Sequence, residues 1–405
     1  MNTDNNKAPT PLTRQLSLAA FWPMIIIAVL ALNLRPAITA IGPLLLEIRC
    51  SMAMGLQAAS LLTVLPMFCM GLFPLLLPWL GQRMSESVWI TVGLLAIVLA
   101  SLWRLWLGDG AALIGSALLA GTGIAIVQAI MPCVVKRWYP QRVPLAMGIY
   151  SASLMAGGGL AAIFSPMVAH YYGSWGAGLG LWLVPAILAM LLWGLRPREA
   201  LAAENHGVSI HFFFHRRAWL LACYFGLANG GYACMIAWLP SYAQEFGWSA
   251  QSSGELIGIM TLFQVIAALA GPALSGERDR RLWLFLGIGI QLVGFIGLVL
   301  VPEPMMLVWV AMIGTGLGSC FALTLTVALE HLATPKIAGA LTAFIQGIGF
   351  IITAVIPYVA GILRQSTGSF QVAWLMVIFA LLLMLIITSR FSPAGYAKAM
   401  EPYNA

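Results

Sequence analysis

The composition of this chain excludes a water-soluble globular protein. Its 405 residues are 61% hydrophobic and only 8% charged, with a mean hydropathy of +0.93, whereas soluble domains carry about a quarter charged residues. The net charge of +7 could indicate a nucleic-acid partner. However, the basic residues fall in short loops between apolar runs, so we attribute them to membrane topology and predict no nucleic-acid binding.

Twelve apolar runs are long enough to cross a hydrocarbon core, which takes about 20 residues. The predicted spans are 21–46, 56–80, 87–107, 111–135, 143–169, 174–195, 218–243, 252–275, 282–301, 305–329, 338–363 and 370–391. We predict an all-α membrane protein with twelve transmembrane helices in two six-helix bundles. The predicted units are an N-terminal tail (1–20), an N-terminal bundle (21–195), a central loop (196–217), a C-terminal bundle (218–391) and a C-terminal tail (392–405).

The distribution of basic residues predicts the orientation of the spans. With the N-terminus in the cytoplasm, 16 of the 20 Lys and Arg residues fall in cytoplasmic segments. Arg49, Arg104 and Arg364 fall at the outer edge, and Arg35 lies within a span. This asymmetry predicts cytoplasmic termini and a cytoplasmic central loop. The first apolar run is too long for a signal peptide, so it is predicted to be a retained span.

The two halves of the sequence echo each other. Asn33 and Pro43 in the first span correspond to Asn229 and Pro240 in the seventh. The segment AGTGIAI (120–126) in the fourth span corresponds to IGTGLGS (313–319) in the tenth. Two parallel repeats of six spans are typical of transporters whose binding site lies near the membrane midplane, between the halves.

Four segments carry a resemblance to a known family. They are LNLRPAITAIGPLL (32–45), GTGIAIVQAIMPCVVKRWYPQR (121–142), NGGYACMIAWLP (229–240) and AFIQGIGFIITAVIP (343–357). The chain resembles the major facilitator superfamily and, within it, the bacterial cyanate transporter subfamily, which also includes nitroimidazole-type transporters. This resemblance implies alternating-access transport of a small solute across the bacterial inner membrane. The chain departs from the superfamily after the second span, where LGQRMSES (80–87) lacks the Asp of the usual gating signature.

Arg35 is the first candidate for substrate binding. A charged residue at a span centre is costly and usually faces a water-filled cavity or a partner. Arg35, Thr39 and Gly42 share a helical face, and the cores of the first six spans hold no Asp or Glu. A guanidinium without a carboxylate partner can bind an anion. Alternatively, Arg35 caps backbone carbonyls freed by Pro36 and holds the bundle together. If Arg35 binds an anion, Asn33, on another face of the helix, is predicted to brace the freed backbone.

Further polar residues extend the candidate site. In the resembled fold the first, fourth, seventh and tenth spans line the central cavity, which implies that Gln128, Asn229 and Tyr232 face it together with Arg35. The alternative for the amides is a hydrogen bond across helices, and this alternative is favoured for Gln264 and Gln346. Trp238 either walls the site or anchors a span end at the membrane interface. The predicted substrate-binding residues are Arg35, Thr39, Gln128, Asn229, Tyr232, Trp238, Gln264 and Gln346.

Other motifs predict neither a cofactor nor a metal. The glycines GGG (157–159) sit within a span and lack the Lys-Ser/Thr of a phosphate loop, so they indicate close helix packing. His206, His211 and His215 form an incomplete ligand set, and HFFFHRR (211–217) is typical of an interfacial segment. His331 is predicted to be solvated. Glu47, Glu255 and Glu330 lie near span ends, so uniport, exchange and proton coupling all remain open.

The predicted function is a secondary transporter of a small anion, and cyanate is the first candidate for that anion. The alternative in the same class is an exporter of small planar organic compounds such as nitroimidazoles. An intramembrane enzyme would need a nucleophile–base or metal constellation, and none stands at usable spacing. A membrane sensor would need a soluble signalling domain, for which no loop is long enough. We expect a monomer whose partners are the small-molecule substrate and the lipid bilayer.

Overall fold

The computed structural model describes residues 18–80, 84–106, 108–196, 210–275, 279–303, 305–332 and 335–400, and they are helical almost throughout. The α-helices are α1 (Leu18–Leu32), α2 (Pro36–Thr39), α3 (Ile41–Met52), α4 (Leu56–Leu80), α5 (Glu86–Trp103), α6 (Gly110–Trp138), α7 (Val143–Tyr172), α8 (Trp175–Gly180), α9 (Leu183–Gly194), α10 (Arg216–Glu245), α11 (Ala250–Ser275), α12 (Arg281–Leu300), α13 (Met306–Glu330), α14 (Pro335–Thr367), α15 (Gln371–Thr388) and α16 (Tyr396–Ala399).

These helices supply twelve candidate membrane spans. The first candidate span, Phe21–Thr39, takes in α1 and α2 and is continued by α3. The sixth consists of α8 and α9, and each of α4–α7 and α10–α15 supplies one span. The predicted all-α fold with twelve spans is therefore confirmed. Of the predicted tails and loops, residues 1–17, 81–83, 197–209, 276–278, 304, 333–334 and 401–405 lie outside the described residues. With them lie His206 and residues 81–83 of the degenerate gating signature.

Local sequence signals explain where several spans begin and end. Ser85 and Asp109 precede α5 and α6, and the Asp109 carboxylate accepts a hydrogen bond of 2.7 Å from the Ala112 amide. Such N-caps satisfy amide groups that a helix start leaves without an internal partner. Gly173 ends α7 with a φ of 63°, a left-handed conformation that glycine adopts without steric cost. The short loops between spans make consecutive helices antiparallel.

The two membrane faces differ in their contacts. We call the face where α1 begins the basic face and the other the opposite face. At the basic face, the ion pairs Arg137–Glu86 and Arg280–Glu330 each join helices of the same half. Close to the opposite face the halves meet directly, since the Gln244 amide donates to the Pro43 carbonyl over 3.0 Å. A Cβ on Gly42 would lie 2.4 Å from the Ile236 carbonyl oxygen.

The sequence echo is reproduced in the packing. The glycine repeat of the fourth span brings Gly121 against Pro66 of α4, and that of the tenth brings Gly314 against the Met260 backbone of α11. Asn33 and Asn229 also behave alike, because each donates its side-chain amide to the carbonyl four residues earlier. Equivalent positions in the two halves therefore have equivalent structural roles.

His331 at the end of the tenth span is buried, so its predicted solvation is wrong. Only 2% of its surface is exposed, and its ring stacks on Tyr396 with centroids 3.9 Å apart. Its Nδ1 lies 2.6 Å from the Val327 carbonyl oxygen and its Nε2 accepts a hydrogen bond from Arg217. The sequence missed this burial because the covering helix, α16, lies in what was predicted to be a tail.

Candidate functional site

The first span is broken where Asn33, Arg35 and Pro36 follow one another. The amides of Asn33 and Leu34 donate to carbonyls only three residues earlier, Leu30 and Ala31. The Val29 carbonyl loses its normal helical donor, and the Asn33 side chain replaces it with a hydrogen bond of 2.7 Å. The predicted bracing role of Asn33 is confirmed. Pro36 then starts α2, since a proline ring is compatible with the first turn of a helix.

Other groups around the break also bind backbone carbonyls, but Arg35 does not. The Thr39 hydroxyl donates to the Arg35 carbonyl over 3.1 Å, and Nη1 of Arg104 donates to the Ala37 carbonyl over 3.0 Å. Gly157 packs so closely that a Cβ there would lie 2.0 Å from the Leu32 oxygen. The alternative in which Arg35 caps these carbonyls is therefore wrong for the described residues.

The Arg35 side chain is buried among neutral aromatic and small residues. Only 5% of its surface is exposed, and its Nε has no hydrogen-bond partner among the described residues. Its guanidinium carbon lies 5.5 Å from the centroid of the Tyr232 ring, within the range of a cation–π contact. The hydroxyl of Tyr150, near enough to feel the charge of Arg35, is buried and has no hydrogen-bond partner among the described residues. Gly158 packs closely against Arg35, since a Cβ on Gly158 would lie 3.3 Å from the Arg35 Cβ.

Two of the predicted glutamines, the half-buried Gln128 of the fourth span and the buried Gln264 of the eighth, have a buried side-chain oxygen, Oε1, without a hydrogen-bond partner among the described residues. Gln346 in the eleventh span is half-buried. The hydrogen bond across helices that was favoured for Gln264 is not formed by its Oε1 with any described residue. A buried amide oxygen without a partner is costly in a packed protein, which is consistent with a role toward a bound molecule.

Three other predicted residues have specific contacts. The amide of Asn229 bonds the Phe225 carbonyl of its own helix over 2.9 Å, so the cross-helix alternative is wrong for its Nδ2. Thr39 is buried and faces Gly158 beside Arg35. Trp238 is fully buried, and its indole donates to the Pro357 carbonyl over 2.9 Å. An interface anchor is therefore wrong for Trp238, which packs the seventh span against the eleventh.

Sequence reasoning missed two residues near the break. Tyr150 lies on the same face of α7 as Leu154 and Gly158, a spacing that could have pointed to it. Arg104, predicted at the outer edge, is 2% exposed and reaches from the end of α5 to Ser116 and α2. No local pattern signals this role, because it depends on how the third span packs against the first.

The chemistry of this arrangement suits the binding of an anion. A buried guanidinium, a tyrosine hydroxyl and an aromatic face meet where the first, fifth and seventh spans approach one another. The described carboxylates lie at span ends, where Glu47 and Glu255 are exposed and Glu330 pairs with Arg280. The charge at the centre of the bundle is therefore positive, and an anion entering it finds donors ready to bind it.

Comparisons with known proteins agree with this architecture. Residues 13–353 match the model of the Major Facilitator Superfamily. The chain is 41% identical to the cyanate transport protein CynX of Escherichia coli (strain K12), over 93% of this chain and 98% of that protein. It is 27% identical to the 2-nitroimidazole transporter of the same organism, over 89% of this chain and 92% of that one.

Among solved structures, the D-xylose-proton symporter is similar with a TM-score of 0.77, covering 92% of this chain and 98% of that one at 12% identity. This likeness shows the fold alone, whereas the family model shows the family. The chain is a multi-pass membrane transporter, and it belongs to the major facilitator superfamily.

Proposed function

We propose that this transporter moves a small monovalent anion, cyanate first, by alternating access across the bacterial inner membrane. Its termini lie in the cytoplasm, and it works as a monomer without a cofactor, metal or catalytic reaction. The anion binds at the break in the first span, between the two halves. The relative named as a cyanate transport protein supports the choice of cyanate. The charge and burial at the break support an anion.

The single observation that carries the proposal is the state of Arg35. The residue is 5% exposed, and its Nε donates to no partner among the described residues. Burying a charge without a partner is costly, and a span that carried Leu at this position would avoid that cost. A bound anion supplies the missing partner through charge-assisted hydrogen bonds, which are stronger in a partly dry site than in water.

The test is uptake of labelled cyanate into proteoliposomes by the Arg35→Ala and Arg35→Lys variants. We expect Arg35→Ala to lose cyanate transport, since a hydrogen bond to a charged group contributes about 1.5–3 kcal/mol and several would be lost. Arg35→Lys should keep the charge but bind more weakly, because an ammonium lacks the planar fork of donors. Arg390→Ala is the matched control, since Arg390 is exposed at the basic face.

Thermal melts in detergent decide whether a loss of transport is a loss of binding. Both Arg35 variants should melt at or above the melting temperature of the parent protein. Arg35→Ala removes the buried charge and Arg35→Lys carries it on a shorter side chain, and neither change breaks a hydrogen bond of the Arg35 Nε among the described residues. Normal cyanate transport by Arg35→Ala would contradict the proposal. An Arg35→Ala protein that no longer folds would show that Arg35 is structural instead.

A second candidate function is export of small planar compounds such as nitroimidazoles. The ring of Tyr232 beside Arg35 favours it, because an aromatic face can stack on a flat ligand. The 27% identical relative named as a 2-nitroimidazole transporter adds support. The same proteoliposomes separate the two functions: transport of a neutral nitroimidazole that persists in Arg35→Ala, without cyanate transport in the parent protein, would favour the exporter.

A further inference from the structure

A cavity of about 640 Å³ lies at the basic face, far from Arg35, where the seventh span begins. Its lining consists of Phe214, His215, Arg216, Arg217, Leu220 and Ala399. The cavity therefore lies between the start of α10, the preceding 3-10 helix (Ile210–Phe214) and the end of α16. Its position is separate from the proposed anion site, and the transport function does not explain its composition.

The polar side of this cavity is cationic. Arg216 is exposed, whereas Arg217 is held in place by His331 and by the Arg390 carbonyl. Burial, and secondarily the charge of Arg217, lowers the pKa of His331 to about 4, so His331 is neutral at pH 7 and accepts from Arg217. The nearby acidic residues Glu330 and Asp279 pair with Arg280 and Arg281. Among the described residues, therefore, neither arginine of the cavity has a carboxylate partner.

The start of α10 adds a further positive contribution. This helix has 30 residues and begins at Arg216, and the side chain of its N-cap residue, His215, forms no capping hydrogen bond. Amide groups of a first helical turn point outward and favour a bound phosphate or similar anion. Together with Arg216 and Arg217 they make the polar wall suited to a phosphate group rather than to a neutral solute.

The other side of the cavity is apolar and faces the bilayer interface. Phe214 is 86% exposed, and Phe213 and Trp219 are also exposed. The Trp219 indole donates to the Phe213 carbonyl over 2.8 Å, which fixes the turn in place. Phe212 is fully buried and packs on Phe344, so the segment is anchored to the helices rather than loose. An exposed aromatic next to a cationic wall suits a molecule with an anionic head and apolar chains.

We propose that this cavity binds the phosphodiester headgroup of an anionic phospholipid from the leaflet at the basic face. The phosphate sits between Arg216 and the first turn of α10. The acyl chains run along Phe213 and Phe214. Basic pockets between transmembrane helices are a known way for membrane proteins to hold anionic lipid headgroups. The prediction of HFFFHRR as an interfacial segment agrees with this position.

The test uses native mass spectrometry of the full-length protein in detergent. It compares the binding of phosphatidylglycerol with the binding of phosphatidylcholine. The parent protein should retain phosphatidylglycerol in preference to phosphatidylcholine. Arg216→Gln should weaken phosphatidylglycerol binding about fivefold, the ratio that corresponds to about 1 kcal/mol for one basic residue near an anionic surface. Arg142→Gln is the matched control, because Arg142 is also exposed at the basic face but lies in the other half.

A second variant separates a lipid from a free phosphate. Phe214→Ser should weaken phosphatidylglycerol binding without affecting glycerol 3-phosphate, which has no acyl chains. Equal losses in Arg216→Gln and Arg142→Gln would overturn the proposal, because they would show a general effect of surface charge. Displacement of phosphatidylglycerol by an equal concentration of inorganic phosphate would overturn the lipid as the occupant. Retention of phosphatidylglycerol by Arg216→Gln at the parent level would overturn the site itself.

Discussion

Two buried arginines near the break in the first span differ in what their guanidinium groups contact. Arg104 donates to Ser116 and to the Ala37 carbonyl, so it ties the third span to the first and fourth. Arg35 faces Tyr232 and Tyr150 instead, with no carbonyl or carboxylate bound to it in the described chain. Arg104 thus has the role of a structural cap, whereas Arg35 is the residue that we propose to bind the substrate.

At the residue scale, Tyr150→Phe should lower substrate affinity without lowering stability. The Tyr150 hydroxyl is buried without a partner in the described residues, so its removal costs the fold nothing. If this hydroxyl donates to the anion beside Arg35, its loss should weaken binding about tenfold, the lower end for a hydrogen bond to a charged group. Melting temperatures without substrate measure stability, and the shift in melting temperature on adding substrate measures affinity.

The matched control for Tyr150 is Tyr224→Phe in the seventh span. The Tyr224 hydroxyl lies 2.9 Å from the Thr388 hydroxyl in a buried pair. Its removal should lower the melting temperature and leave affinity unchanged, the reverse of the Tyr150 result. Unchanged affinity in Tyr150→Phe would exclude this hydroxyl from the site.

The sequence could locate some of these residues and not others. Arg35 stands out because a permanent charge within an apolar run is rare, and Asn33 because an amide beside Pro36 suggests a backbone partner. Tyr150 gave no comparable signal, since a tyrosine in a span is ordinary. Whether an amide such as Gln264 bonds across helices depends on side-chain geometry, which periodicity does not contain.

At the scale of elements, the glycines of the fifth span explain how the break can be packed. Gly157 lies against the Leu32 carbonyl, and Gly158 against the Cβ of Arg35. The predicted role of this glycine run, close helix packing, is therefore confirmed. The packing holds α7 directly against the broken segment, so Tyr150 on the same helix is placed two turns from Gly158.

Adjacent glycines provide a matched pair of substitutions. In Gly157→Ala the new Cβ would lie 2.0 Å from the Leu32 backbone oxygen, and in Gly158→Ala 3.3 Å from the Arg35 Cβ. We expect Gly157→Ala to destabilise the protein by roughly 1–3 kcal/mol or more through overpacking, and Gly158→Ala to have a much smaller effect. Melting temperatures in detergent compare the stability of the two variants. An equal decrease in melting temperature would contradict the close approach at Gly157.

At the scale of the whole molecule, the number of spans was predictable because each needs only length and apolarity. The twelve predicted spans match the helices within a few residues. The break in the first span has a local signal in Asn33 and Pro36, but the helix α16, which covers His331, has none. The position of α16 depends on contacts between segments that are distant in the sequence.

The orientation of the whole molecule is a further prediction. The excess of Lys and Arg at one face predicts that this face is cytoplasmic. A reporter active only in the cytoplasm should therefore work when fused after Ala405. The same reporter inserted after Gly108, in the loop at the opposite face, should be silent. Activity at Gly108 and silence at Ala405 would mean that the molecule is inserted the other way round.

The unpaired charge of Arg35 has an electrical consequence. With a monovalent anion bound, the centre of the bundle is neutral, and when empty it carries one positive charge. Alternating access connects this centre to one face at a time, so only the empty transporter moves charge through the transmembrane voltage. A full elementary charge corresponds to about 2.3 kcal/mol per 100 mV. A voltage negative at the basic face therefore holds the empty site open toward that face and slows its reorientation toward the opposite face. Reorientation of the anion-loaded transporter does not depend on voltage.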